Sequence, residues 1–218
     1  MRKVVVLLGL AGAMCWGQDP LKVAGGTYRL IAENDEVRLL EGNLPVGAKT
    51  AMHTHPALMA VMLEAGLTKW TMPDGKSVQS APEMKRGSVV AMGPQSHISQ
   101  NMDKKALKVL LVEFKRPVPA AGKAKKASSA RSCKVVAESE YATAQLCSGA
   151  AGSVVEKHTH AGSAVYVALT DVNAELTDSA GAVKTLTMKR DAASIAPAVT
   201  HSGKNMGKAY ELIVVDLK

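Results

Sequence analysis

Aromatic side chains are scarce in this chain of 218 residues, which has one Phe, two Trp and four Tyr; it also has only three cysteines and six histidines. Val, Leu, Ala and Met are abundant and supply the apolar material instead. There is no glycine-rich phosphate cradle, no serine nucleophile elbow and no CxxC zinc ribbon, so the chain offers none of the common motifs for nucleotide, acyl-transfer or finger-type zinc chemistry. Neither Cys133 nor Cys147 has a histidine near it in sequence, which leaves a thiol nucleophile without support. No long helical periodicity is present. The formal charge is +8, but Arg2, Lys3 and six basic residues of one acid-free stretch (Lys115, Arg116, Lys123, Lys125, Lys126 and Arg131) account for all of it. The remainder is balanced, so there is no basic face for nucleic acid.

Arg2-Lys3 precedes the apolar run VVVLLGLAGAM and then CWGQDP. A charged start, a short apolar middle and a small residue before a polar break are the parts of a secretory signal. We expect residues 1–17 to be removed, placing the mature protein in the periplasm or outside the cell, with no membrane attachment after cleavage. The alternatives are a first buried strand, or a lipid anchor on Cys15, although Met14 is bulky for such a site. Elsewhere no segment is long and apolar enough to cross a bilayer. Cys133 and Cys147 then remain, on what reads as two short strands about a turn near Glu140. In an exported protein they are expected to form a structural disulfide, the alternative being two small buried thiols.

The chain repeats itself. Gly47–His55 lies over Gly152–His160 at a shift of 105 residues, and AENDEVRLLEG lies over AESEYATAQLCSG from the same shift. Further on, MKRG (84–87) matches MKRD (188–191), His97 and Asn101 match His201 and Asn205, and KVLLVEFK (108–115) matches ELIVVDLK (211–218). Two copies of one unit follow. We expect units at 18–115 and 132–218, joined by a solvated linker over 116–131 that is rich in Pro, Ala, Ser and Lys. Within each unit, short runs such as YRLIA, VMLEAG, LKVLLVEF and AVYVAL are punctuated by Gly, Pro, Asn and Asp. That spacing predicts an all-β barrel or sandwich.

All six histidines fall into two equivalent triplets: His53, His55 and His97, and His158, His160 and His201. On a strand, residues i and i+2 share a face, so each His-Thr-His presents two imidazoles to one side. A third from another strand completes a set of three metal ligands with coordination positions left open.

Gly47-(five residues)-His53-Thr-His55 and Gly152-(five residues)-His158-Thr-His160 resemble the first signature motif of the cupin superfamily. Gly87…Pro94…His97…Asn101 and Asp191…Pro197…His201…Asn205 resemble the second, with altered spacing around the proline. The resemblance covers almost the whole mature chain and implies a bicupin, two tandem jelly-roll barrels each holding a divalent transition metal. Cupins include dioxygenases, decarboxylases, isomerases, hydroxynitrile lyases and seed storage proteins. The family's usual glutamate ligand is missing, with Met59 and Ala164 read at its place. Three neutral ligands leave the full +2 on the metal, which favours anionic ligands at the open positions. Imidazole suits Fe, Zn, Cu and Ni, and Mn is compatible.

Simple alternation places Glu156 on the inner face with His158 and His160, and Tyr166 two residues beyond Ala164. Both are candidate acid–base residues beside the second metal. In the first half the matching positions carry Lys49, Ala51, Met59 and Val61. Two functions are compatible with these residues: an exported metalloenzyme acting on a small organic acid, phenol or keto compound, or a protein that binds metal or a small ligand without turnover. A purely structural role conflicts with the retention of all six histidines.

Overall fold

A computed structural model describes residues 18–64, 66–79, 84–116 and 132–218. The expected leader and all but the first residue of the expected linker lie outside the described residues. A short helix, α1 (Pro20–Val23), leads into the first barrel. Its strands are β1 (Tyr28–Glu33), β2 (Val37–Leu44), β3 (His53–His55), β4 (Leu58–Glu64), β5 (Thr68–Thr71), β6 (Ser77–Gln79), β7 (Val89–Met92), β8 (Gln95–Asn101) and β9 (Leu107–Phe114). The second barrel repeats them as β10 (Cys133–Glu138), β11 (Ala142–Gly149), β12 (Val154–His160), β13 (Ala164–Ala168), β14 (Val172–Asp178), β15 (Val183–Met188), β16 (Ala193–Ala196), β17 (Val199–Asn205) and β18 (Tyr210–Leu217). The fold is all-β, two tandem jelly rolls, as the duplicated strand pattern predicts.

Each barrel is built from a five-stranded and a four-stranded antiparallel sheet. Their orders are β1-β2-β9-β4-β7 with β3-β8-β5-β6, and β10-β11-β18-β13-β16 with β12-β17-β14-β15. The five-stranded sheets are buried on both faces. Leu40, Leu58, Ala60 and Leu111 face the first barrel's interior with Tyr28. Their neighbours Leu39, Met59, Val61, Val112 and Phe114 pack instead against Val165, Val167, Ile213 and Val215 of the second barrel. Burial on both sides explains why these strands read as continuous apolar runs rather than as alternating ones. The sheet-on-sheet layer is one contiguous core, closed at its edge by Phe114 stacked on Tyr141 with ring centroids 5.0 Å apart.

The MKRG and MKRD motifs sit beside this layer. Arg86 donates to the Leu169 carbonyl at 2.7 Å and to Asp191 at 2.5 Å, and also to the Leu63 carbonyl. Asp191 occupies the left-handed region at φ 69°, where the first copy has Gly87 at φ 83°. Aspartate tolerates that conformation better than most residues. The substitution within the repeat thus supplies a carboxylate that ties one barrel to the other through Arg86 and Lys108.

The two cysteines form the expected disulfide, as directly opposed residues of the β10–β11 hairpin. In the first barrel the equivalent pair is Tyr28 opposite Gly42. Asn101 and Asn205 hold turns: each amide nitrogen donates to two or three backbone carbonyls, and each amide oxygen accepts from the backbone N–H two residues on.

Candidate metal centres

The sequence triplets meet in space. His53 stands directly opposite His97 across the β3–β8 pair, and His158 stands opposite His201 across β12–β17. Directly opposed side chains on one face lie close together, and the i+2 histidine completes each group. In both groups one ring nitrogen from each histidine lies within 4.8 Å of the other two. The motif glycines Gly47 and Gly152 precede the histidine strands at φ 72° and 74°, a turn that a side chain would strain.

The hydrogen bonds fix which nitrogens face inward. His53 Nδ1 lies 2.8 Å from the Ala51 carbonyl, and His158 Nδ1 lies 2.8 Å from the Glu156 carbonyl. A carbonyl only accepts, so each Nδ1 carries the proton and each Nε2 presents a lone pair. His55 Nδ1 and His160 Nδ1 are each 2.5 Å from a buried carboxylate oxygen, of Glu113 and Asp216 respectively. These carboxylates orient the second histidine of each triplet and fix its tautomer.

In the second barrel the Nε2 atoms of His160 and His158 lie 3.2 and 3.1 Å from His201 Nε2. The protons of His158 and His160 sit on Nδ1, so only His201 Nε2 can carry one, and a single N–H cannot point at both neighbours; a cation among the three nitrogens would relieve the contact. In the first barrel His53 Nε2 and His97 Nδ1 are buried with no hydrogen-bond partner. Such buried polar atoms are costly unless something ligates them. Burial, before any other cause, lowers the pKa of His53 to about 4, of His97 to about 3 and of His201 to about 4, with neighbouring imidazoles adding to the effect; it lowers His158 too. These rings are neutral at pH 7 and keep their lone pairs for a metal. The two groups fit two metal sites.

The surroundings differ between barrels. In the first, Glu113 is fully buried and also accepts from Arg38 at 2.6 Å, while Arg38 donates to Asp19 at 2.7 Å. The Tyr28 ring packs 5.1 and 5.6 Å from His53 and His55, and burial pushes its phenol up to about 12. In the second, Asp216 accepts from Gln145 Nε2 at 2.9 Å. Here Tyr166 packs 5.7 Å from His160, with its pKa raised by burial. A cavity of about 70 Å³ opens onto His158, His160, His201, Gln145 and Tyr166, and one of about 60 Å³ opens onto His55, His97, Tyr28 and Trp70.

Several expected positions are corrected. Glu156 does not share the histidines' inner face: β12 carries a bulge between Val155 and His158, which resets the alternation and leaves Glu156 exposed. Its backbone carbonyl accepts from His158 Nδ1. Lys49 and Ala51 are exposed as well. Met59 and Val61 face the other barrel, because the residue equivalent to Ala164 is Leu58; Leu58 pairs with Glu113 as Ala164 pairs with Asp216. The place of the missing glutamate is therefore apolar in both halves, filled by Leu58 and Ala164. Tyr166 lies inside as expected. Glu113 and Asp216 were not singled out in the sequence, although the aligned runs KVLLVEFK and ELIVVDLK each place an acid directly after the same four-residue apolar run.

No family model matches the chain, and no curated protein sequence matches it. Solved structures do. AerE from Microcystis aeruginosa is similar over 88% of this chain and 97% of its own, at TM-score 0.62 and 13% identity. A Bacillus subtilis oxalate decarboxylase described by its Mn(II) centres covers 87% of this chain and 74% of its own (TM-score 0.60, 13% identity). The salicylate 1,2-dioxygenase of Pseudaminobacter salicylatoxidans covers 87% and 76% (TM-score 0.59, 10% identity). A cupin 2 conserved barrel domain protein from Leptotrichia buccalis matches over 88% of both chains, at TM-score 0.53 and 12% identity. The fold is that of a bicupin.

Proposed function

We propose that the protein is an exported bicupin that binds one divalent transition metal in each barrel and uses at least one of them to transform a small organic substrate. His53, His55 and His97 would hold the first metal, and His158, His160 and His201 the second. The observation that carries this reading is the convergence of three imidazoles in each barrel, with His53 Nε2 and His97 Nδ1 left unpartnered in the buried first group. When bound, the metal supplies Lewis acidity and open positions for an oxygen ligand. The chain's own residues orient the imidazoles through Glu113 and Asp216, exclude water with apolar walls, and place the protonated Tyr166 phenol within the second cavity as a proton donor.

A decarboxylase, dioxygenase or lyase type of reaction is consistent with the site, and oxalate decarboxylase and salicylate dioxygenase are among the proteins of like fold. The disulfide supports export. The alternative is a non-catalytic holder of metal or a small ligand, favoured by the lack of a metal-ligating carboxylate and of inward-facing acid–base groups other than tyrosine. Oxygen uptake and carbon dioxide release should be measured with a panel of small acids and phenols on wild type, His97→Ala and His201→Ala. Turnover that disappears with one histidine variant supports an enzyme; full metal loading without turnover on any compound supports the alternative.

A further inference from the structure

A tyrosine stands beside the histidines in each barrel, but not on the same wall. In the first barrel it is Tyr28 of β1, whose hydrogen-bonding neighbour is the Ser99 side chain. The second barrel carries Cys133 and Gly203 at those two places. Cys133 pairs with Cys147 as Tyr28 pairs with Gly42, and Gly203 pairs with Leu176 as Ser99 pairs with Trp70. The tyrosine of the second barrel comes instead from β13. Tyr166 pairs with Val214 where Ala60 of the first barrel pairs with Leu111, and each lines the cavity of its own barrel.

The change of wall leaves the hydroxyl uncommitted. Tyr166 packs 5.7 Å from His160 and is 6% exposed, yet among the described residues its hydroxyl has no hydrogen-bond partner. Nor is it one of the unpartnered polar atoms sealed away from solvent. The ring sits in the apolar cluster inside the barrel, so the exposure it keeps is to the cavity. Nearby, His160 Nδ1 and Gln145 Nε2 are both spent on Asp216. Tyr166 is thus a free O–H donor beside the imidazoles, in a cavity walled otherwise by Val155, Val172, Ala174, Leu186 and Leu212.

Resting on the metal reading above, we infer that the second barrel selects a short-chain aliphatic carboxylate, one oxygen on the metal and the other accepting from Tyr166, and that the first barrel, with Ala60 in that place, binds it more weakly. A cation held by three neutral imidazoles draws an anion. A phenol is protonated at neutral pH and donates, so it adds a charge-assisted hydrogen bond to an anion that has a second oxygen to offer. The apolar walls suit an aliphatic tail, and a cavity of about 70 Å³ keeps that tail short. Tyr166 is on this account a specificity-determining residue that separates two sites with the same histidines.

The test uses the full chain loaded with cobalt(II), whose visible spectrum reports a ligand arriving at the metal. His158→Ala leaves only the first site and His53→Ala only the second; elemental analysis confirms the loading. Titration with propanoate should show the second site about tenfold tighter than the first, the worth of one hydrogen bond to a charged group. Adding Tyr166→Phe to the His53→Ala protein should bring the two sites to within about twofold, with cobalt content and melting temperature retained because the deleted hydroxyl has no partner in the protein. Bromide, a single-atom anion that can hold the metal but offers the phenol no second oxygen, should bind the second site equally with Tyr166 or Phe. Equal propanoate affinities at the two sites overturn the inference. So does an advantage that survives Tyr166→Phe, or a loss that extends equally to bromide. Each of these results with cobalt bound leaves the metal sites standing, whereas failure to take up cobalt overturns the metal reading itself.

Discussion

A fully buried carboxylate that touches both a histidine and an arginine has to satisfy two demands. Glu113 accepts from His55 Nδ1 through one oxygen and from Arg38 through the other, so it orients a metal-facing imidazole and neutralises a guanidinium inside the barrel. Replacing it by alanine leaves Arg38 half-paired through Asp19 and His55 without an acceptor. We expect Glu113→Ala to lose about 3 kcal/mol of stability, as when one partner of a buried pair is removed, and to weaken metal binding in the first barrel by about 10–100-fold. Glu113→Gln, which can still accept from His55, should retain most of the affinity. Urea denaturation and competition with a chelator would check both; an alanine variant with unchanged midpoint and affinity would contradict the role. The histidines themselves were legible in the sequence because all six fell into matching places of a repeat. Glu113 and Asp216 were visible as aligned acids but not interpretable, since their partners His55 and His160 lie 58 and 56 residues away. Glu156 was misread because a bulge is a local departure from the two-residue period on which the inward reading relied.

At the scale of elements, the strands came through from short aliphatic runs between turn residues, and the β10–β11 hairpin from two cysteines flanking a polar centre. The face of β4 did not. Leu58 through Leu63 are apolar whichever way they point, since one face meets the cavity and the other meets the second barrel. A strand buried on both sides has no alternation from which to fix its register. The hairpin carries its own prediction. The disulfide closes a loop with a sequence separation of 14 residues, and such a cross-link contributes about 3 kcal/mol through the unfolded chain. In a chain of this size that is on the order of 10 °C in melting temperature. Thermal melts with and without reductant, alongside Cys133→Ala/Cys147→Ala, should show a drop of that order; a melt indifferent to both would mean that the bridge adds nothing. The first barrel manages with Tyr28 over Gly42 in the same place, where the ring packs on two histidines instead.

The whole molecule is a pair of barrels back to back, each with its own imidazole cluster facing away from a shared apolar layer. That layer and the Arg86–Asp191 bridge make the two copies one packed body, while the cavities stay separate and chemically unlike. One is walled by Tyr28, Trp70 and Leu58, the other by Tyr166, Gln145 and the disulfide. Duplication has kept two histidine groups alike and set them behind different walls. The two-unit organisation was readable from self-alignment; the back-to-back packing was not, because it depends on which face of each doubly apolar strand is used. The central claim is that both clusters hold a metal. Elemental analysis of protein purified without chelator, then of the His53→Ala and His158→Ala variants, tests it directly. The account predicts two equivalents of a divalent transition metal per chain, falling to one in each variant and to none in the double variant. Metal at background level in wild type after incubation with zinc, manganese and iron, or content indifferent to the substitutions, would contradict it.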